Sequence, residues 1–313
     1  MKVTHEFSAI RDLDSPLSCA FGVFDGVHLG HREVILKAVE HARKHGGIAG
    51  VMTFDPFPLQ VLAPDRAPQK ILASISHKEK LLKELGVEFL LIIPFDRQIA
   101  QMGAEEFLEA LYADGILAHI SVGEDWKFGR GREGKLAFLR TYCEERGITL
   151  SATAPVIHEQ ERISSTRIRQ AIRDGNLAGA AEMLGRNYTL YGRVVKGEQL
   201  GRQLGFPTAN VDTLNELLPP HGVYVVRSQI RGREIYGVAN LGVRPTVSGE
   251  LKLSFEVHYF DLDEDLYDLE LEVELGAFLR GEQKFKGIEE LKAQITSDCQ
   301  QARQLISSGS AWF

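Results

Sequence analysis

This sequence of 313 residues is poor in the features that mark a cross-linked, exported or membrane-spanning protein. Its cysteines, Cys19, Cys143 and Cys299, are odd in number, far apart and in no CxxC pair. That excludes a disulfide framework and a cysteine zinc site and points to reduced, structural thiols. No apolar run reaches the roughly 18 residues a membrane helix needs. The opening stretch, MKVTHEFSAIRDLDSP, is polar and mixed in charge, without the apolar core or small-residue cleavage site of an export signal, so a soluble, cytoplasmic protein is expected. Positive charge is in deficit: Lys and Arg number 36 against 43 Asp and Glu, for a net charge of −7. A nucleic-acid partner would call for the opposite balance, whereas small anions need only a local basic pocket. There is no GxxxxGK[ST] signature, so a kinase built on this chain must grip phosphate in another way. Internal repeats and low-complexity segments are missing too.

What is there is an average globular composition, 44% hydrophobic and 25% charged, in a chain long enough for two domains. Residues 17 to 155 alternate short apolar runs (LSCAFGVF, GIAGVMTF, VEFLLIIPF, AHISVG) with helical stretches at His31 to His45, Lys78 to Leu85 and Ala104 to Leu111. This is the pattern of a parallel α/β sheet. ISSTRIRQAIRDGNLAGAAEMLG then reads as one helix, with Ser164, Ser165 and Thr166 as caps and Gly185 near its end. From Tyr188 the texture changes to strand-like runs separated by turn residues, followed by a helix from Gly287 to Ile306. That suggests a small barrel or sandwich closed by a terminal helix, with the domain boundary near residue 187.

The chemistry of the first half centres on GVFDGVHLGH. The strand is expected to end at Phe24, Asp25 and Gly26 make a tight turn, and His28 and His31 share one face of the first helical turn. A helix N-terminus offers free N–H groups and partial positive charge, and two imidazoles add donors for charge developing on a departing pyrophosphate. The plain alternative is that both histidines are surface or capping residues. ISSTRIR supports the first reading, since three hydroxyls at a helix start with Arg167 and Arg169 nearby suit phosphate oxygens. GRGREG, Gly129 to Gly134, spells GxGxxG but lies away from its strand and has no later acid for a ribose. It is read as a flexible basic loop whose Lys127, Arg130, Arg132 and Lys135 are a solvated charge run, with help in attracting phosphates as the alternative.

In the second half GRQLGFPTANV is the most informative segment. Gly201 and Gly205 permit close backbone approach to phosphates, Pro207 stiffens the turn, and Thr208 and Asn210 can present two oxygens to one cation, a donor type that suits Mg²⁺. The same letters also fit an ordinary turn into a strand. In LSFEVHYF, Leu253, Phe255, Val257 and Tyr259 alternate with Ser254, Glu256 and His258, which puts Glu256 on a polar strand face. Periodicity does not separate it from Glu270, Glu272 and Glu274, which are read as solvated.

GVFDGVHLGH, TFDPFP, VGEDWKFGRGREG and ISSTRIR, in this order, closely resemble the adenylyltransferase half of the bacterial bifunctional riboflavin kinase/FAD synthetase family. GRQLGFPTAN, GVYVV, GVANLGVRPT, FEVHYFD and FLRGEQKF resemble its flavokinase half. The resemblance implies an α/β fold in two domains: a nucleotidyltransferase-type parallel sheet with helices on both faces (1–186) and a small antiparallel β-barrel with a terminal helix (187–313). It implies riboflavin, FMN and ATP as small-molecule substrates, with Mg²⁺ for both reactions. His28 and His31 would contact ATP phosphates within a turn that includes Phe24, Asp25 and Gly26, and Ser164, Ser165, Thr166 and Arg169 would cradle them. Phe57, Asp125 and Phe128 would lie near the flavin. In the second half Gly201, Gly205, Thr208 and Asn210 would hold nucleotide, Thr208 and Asn210 would also hold Mg²⁺, and Glu256 would be the base for the ribityl hydroxyl. Two positions depart from the family pattern: Phe57 stands where a histidine is common, and Gln199 where many relatives have glycine. A different reading, an aminoacyl-tRNA synthetase with the same HxGH motif, is disfavoured by the acidic balance. Another, in which one half is a silent flavin-binding module, takes Phe57 as its best hint.

Overall fold

Six strands, β1 (Lys2–Thr4), β2 (Leu17–Phe21), β3 (Ile48–Asp55), β4 (Phe89–Pro94), β5 (Leu117–Gly123) and β6 (Thr149–Thr153), form a sheet in the order β1-β4-β3-β2-β5-β6. Every pairing in it is parallel. The structure is a computed structural model of residues 1–313, and all are described except 68–69, 113–114, 198–200, 202–203, 215–216 and 246–250. Between the strands run α1 (Leu29–His45), α2 (Pro58–Leu62), α3 (Ile75–Glu84), α4 (Arg97–Gln101), α5 (Ala104–Tyr112) and α6 (Leu136–Arg146). Successive strand residues face opposite ways. Leu17, Cys19 and Phe21 therefore enter one core with Leu91 and Leu108, while Ala20 enters the other with Val51, Ile92 and Ile35. One core is closed by α5 and α6 and the other by α1 and α3. With both faces covered, the strands must be apolar throughout, which is why they read as continuous runs.

Two local expectations are corrected here. Strand β2 stops at Phe21 rather than Phe24, because the chain must turn away from the sheet before the first helix, and that helix begins at Leu29 rather than His31. The single helix expected after Ile163 is two, α7 (Ser165–Arg173) and α8 (Leu177–Leu184). Gly175 in the left-handed region (φ 76°) breaks it, and the Asn176 side chain caps α8 by accepting the Gly179 N–H at 2.9 Å.

The later strands are β7 (Ile157–His158) and β8 (Glu161–Arg162), a short antiparallel pair, then β9 (Thr189–Val195), β10 (Ala209–Thr213), β11 (Gly222–Ile230), β12 (Arg233–Pro245), β13 (Leu251–Tyr259) and β14 (Glu270–Arg280). The last six close a barrel, in the order β10-β13-β12-β11-β14-β9, through antiparallel pairs. Closure leaves no open edge, which settles barrel against sandwich. Helix α9 (Ile288–Ser307) follows and packs Ala302 against Val223, Val225 and Phe260. Glu270 and Glu274 are not simply solvated. Glu270 accepts from Tyr191 Oη at 2.8 Å, and Glu274 accepts from Arg227 Nε at 2.8 Å and Asn187 Nδ2 at 2.6 Å. They cross-link neighbouring strands.

Packing divides the chain into two compact units, Met1–Ile71 with Ile75–Ser165, and Leu72–Ser74 with Thr166–Phe313. The thiols of Cys19, Cys143 and Cys299 are all free, and burial pushes Cys143 up to about 11.

At the far end of α1 three imidazoles stack, His41 on His119 at 4.1 Å and His41 on His45 at 4.1 Å. His41 is held between Ser18 Oγ (2.8 Å) and Thr149 Oγ1 (3.0 Å), and His119 Nε2 meets Ser151 Oγ at 2.9 Å. Burial, aided by the charges of His41 and His45, lowers the His119 pKa to about 3. Above pH 6.5 His119 is neutral whether the chain is folded or unfolded. As pH falls from there toward 3 only the unfolded chain takes up the proton, so stability drops, by about 2 kcal/mol between pH 6.5 and 5. Thermal melting at pH 7.5 and 5 should show the parent losing more stability on acidification than His119→Gln. Equal losses would contradict this.

Candidate functional sites

Beyond Phe21 the backbone passes through a tight turn in which Phe24 (φ 50°), Gly26 (φ 78°) and Val27 (φ 42°) are all left-handed. A β-branched residue there is strained, and such strain persists only where the surroundings hold it. The turn delivers His28 as the N-cap of α1, where Nδ1 accepts the His31 N–H at 3.3 Å. The imidazole takes the place of the usual Ser or Asp cap, and the bond assigns its ring proton to Nε2. The two rings stack at 3.5 Å and 17°, and Phe24 meets His31 edge-on at 5.4 Å. Burial first, then the charges of His28, Lys78 and Arg162, hold His31 well below the usual histidine pKa. It is therefore neutral at neutral pH. Its Nδ1 is buried with no hydrogen-bond partner among the described residues.

This pair borders a cleft of about 670 Å³, whose lining also includes Phe24, Phe57, Asp125 and Phe128. Phe24, His28, His31 and the three residues of the expected flavin set thus come together at one place, whereas Asp25 and Gly26 are not part of its lining. Phe128 stacks on Trp126 at 4.3 Å, and Phe57 stands at the start of α2 beside the cleft. Arg162 donates to Asp125 at 2.5 Å, and this bond is the largest cause holding the Asp125 carboxyl below its usual range. Ser165 Oγ donates to the Asp25 carbonyl at 3.0 Å, joining the ISSTRIR segment to the turn. Ser164 is half-buried just before α7, while Thr166 and Arg169 fall in the second unit, Thr166 exposed and Arg169 buried. The aromatic wall of Phe54, Phe95 and Trp126, together with Arg162 and Lys78, was missed by sequence reasoning. The two aromatics of WKF were a signal for part of it.

GRGREG is a closed turn rather than a flexible loop. Phe128 and Gly134 exchange backbone hydrogen bonds at 3.1 and 2.9 Å, and Glu133 accepts the Ala104 N–H at 2.9 Å. Lys127, Arg130, Arg132 and Lys135 are exposed, and Lys127 and Arg132 reach the cleft lining.

In the barrel Glu256 on β13 pairs with Asn210 on β10 and Asn240 on β12. Its carboxylate accepts from Ser254 Oγ at 2.9 Å and lies 3.5 Å from Thr208 Oγ1. Thr208 borders two cavities. One, about 330 Å³, is lined by Gly201, Phe206, Glu256, Arg280, Leu291 and Asp298; the other, about 270 Å³, by Val194, Pro207, Leu262, Leu266 and Tyr267. Gly201 has a local reason to be glycine: a Cβ there would come within 2.4 Å of the Phe206 carbonyl, whose own N–H donates to Gly201 O at 2.8 Å. Gly205 is exposed and left-handed at φ 86°. Gln199 lies outside the described residues. Arg280 donates to Asp298 at 2.7 to 3.1 Å on the wall of the larger cavity. Strand register, which no local motif encodes, brings Asn240 beside Glu256, and the packing of α9 brings Asp298 to Arg280.

Comparison with known proteins divides the chain in the same order. A family model described as FAD synthetase matches residues 11–167, and one described as riboflavin kinase matches residues 184–306. The curated protein of Escherichia coli (strain K12) named bifunctional riboflavin kinase/FMN adenylyltransferase is 41% identical over 287 residues, 91% of each chain. The Bacillus subtilis (strain 168) protein of the same name is 33% identical over 310 residues, 98% of each. A solved Streptococcus pneumoniae structure superposes with a TM-score of 0.81 at 32% identity, covering 96% of this chain and 98% of that one. Its title names a macrolide-efflux protein, whereas among the described residues of this chain no helix is long and apolar enough to cross a membrane.

Proposed function

This chain belongs to the bifunctional riboflavin kinase/FMN adenylyltransferase family, and from that premise we propose how its residues carry the two reactions. The C-terminal half phosphorylates riboflavin to FMN with ATP, and the N-terminal half adenylylates FMN with a second ATP, giving FAD and pyrophosphate.

In the kinase half, Glu256 takes the proton of the terminal ribityl hydroxyl as its oxygen bonds to the γ-phosphorus and the bond to ADP breaks. Ser254 and Thr208 fix the carboxylate. The observation that carries this assignment is that Glu256 and Thr208 border one cavity while Thr208 alone extends into the next. The flavin is assigned to the Glu256 side, against Phe206 and Leu291, and the nucleotide base to the side with Leu266 and Tyr267. The Thr208 hydroxyl and Asn210 amide oxygen are hard donors that fit Mg²⁺, and being only two they suit an ion that keeps waters and phosphate oxygens as its other ligands. Bound there, Mg²⁺ would neutralise phosphate charge.

In the adenylyltransferase half, an FMN phosphate oxygen attacks the α-phosphorus of ATP and pyrophosphate leaves. FMN is already ionised and needs no base, so the site's work is positioning and charge stabilisation. His31, kept neutral by its burial, sits with His28 at a helix N-terminus and donates to the growing charge without carrying a fixed charge of its own. Ser164, Ser165, Thr166 and Arg169 are assigned to the phosphates, and Phe57, Asp125 and Phe128 to the flavin. Phe57 extends the apolar wall for a flat ring, where a histidine would add a donor. Free thiols and the acidic balance support a cytoplasmic setting.

The functional boundary is placed at 1–186 and 187–313. The riboflavin kinase match from residue 184 and the first barrel strand at Thr189 support it, while packing groups residues 166–186 with the barrel as well. A fragment of residues 187–313 should fold alone and phosphorylate riboflavin without making FAD, as chromatography of its products would record. A folded but inactive fragment would show that the kinase needs residues before Asn187.

A further inference from the structure

Lys78 is a buried lysine that the chemistry above does not use, only 5% exposed in the first turn of α3. Its Nζ donates to the Val23 carbonyl at 2.9 Å and to Thr53 Oγ1 at 3.4 Å, and Thr53 Oγ1 itself donates to the same carbonyl at 2.9 Å. Three elements, α3, β3 and the loop after β2, therefore meet at one oxygen. That oxygen belongs to the residue immediately before Phe24, where the left-handed turn that ends in His28 begins. Desolvation opposes an ammonium in this place, and Asp25 and Asp55 are the carboxylates whose charges favour it. Its charge in turn acts on His31.

Burying a charge costs several kcal/mol, which its partners repay only in part, so a buried ionic group is weak evidence for stability. Stability is therefore a weak reason for a lysine here. A strained turn, by contrast, needs an outside restraint to stay in one conformation. We propose that Lys78 is a positioning residue for adenylyl transfer: it clamps the Val23 carbonyl, so holding the strained turn that presents His28 and His31. This rests on reading the N-terminal cleft as the adenylyl-transfer site. A donor held to a few tenths of an ångström matters most when charge develops, so the effect should fall on kcat rather than on substrate capture.

The test uses the full chain and follows FAD synthesis from FMN and Mg-ATP together with FMN synthesis from riboflavin. Lys78→Met should lower kcat for FAD synthesis about 10- to 100-fold, the worth of one hydrogen bond from a charged donor. The KM for FMN should stay within about threefold, and riboflavin kinase activity should be unchanged. Lys78→Arg, which keeps the charge and the donors, should recover most of kcat. Thr53→Val, which removes the shared hydroxyl at nearly constant volume, provides an independent arm and should lower kcat about 3- to 10-fold. Near-parental kcat in Lys78→Met overturns the proposal, and so does an equal loss of both activities with a lowered melting temperature. Should Lys78→Met fail to fold, parental kcat in Thr53→Val overturns it. If the parent chain itself makes no FAD, the reading of the cleft fails instead, which keeps the two outcomes distinct.

Discussion

His28→Ala combined with His31→Ala should reduce FAD formation by about 10⁴-fold while FMN formation continues. Removing one preorganised donor from a developing oxyanion typically costs roughly 10²–10³ in rate, and here two are removed from one stacked pair. The neutrality of His31 is part of this expectation, since burial above all keeps it unprotonated, so its work is hydrogen bonding. His28 is also the cap of α1, so its loss should cost about 1 kcal/mol of stability as well. His28→Asn separates the two effects, because asparagine caps a helix well but has no imidazole. It should keep the parental melting temperature and still lose most FAD synthesis, as followed by chromatography of products from FMN and Mg-ATP. Undiminished synthesis by the double variant would remove the histidines from the mechanism.

Glu256→Gln should cut riboflavin kinase kcat by roughly 10²–10⁴-fold with little change in the affinity for riboflavin or ATP. Glutamine keeps the side-chain shape and can still accept from Ser254 and Thr208, so the loss isolates basicity. FAD synthesis from supplied FMN should be unaffected. Glu272→Gln on β14 is the matched control, a glutamate on a strand of the same barrel outside both cavities. Steady-state kinetics of the two variants side by side decide the matter. If both are near parental, Glu256 is a structural strand residue and the base lies elsewhere.

The sequence carried what is local and periodic. Apolar runs such as VEFLLIIPF announced strands buried on both faces, and the texture change near Tyr188 announced the barrel. The α7–α8 break at Gly175 was harder to see, because apolar spacing continues across it and only the backbone conformation interrupts the helix. Helix α6 was not foreseen, since its apolar residues share the segment with charged ones and a glycine-rich neighbour. HxGH was legible as two imidazoles brought together at a helix start, because spacing three there has a direct spatial meaning. Lys78 was not, for it lies 55 positions from Val23 and its role depends on three elements meeting. Glu256 shows the same limit: alternation put it on a polar face with other glutamates, and only register placed it beside Thr208, Asn210 and Asn240.

The central claim is that one chain carries two consecutive ATP-dependent steps. Its most direct measurement is a chromatographic time course of riboflavin with Mg-ATP on the full chain, counting flavins, ADP and pyrophosphate. FMN should appear first and FAD after it, with ADP equal to the sum of FMN and FAD and pyrophosphate equal to FAD alone. FMN accumulating without FAD or pyrophosphate would contradict the account by showing the N-terminal half to be silent.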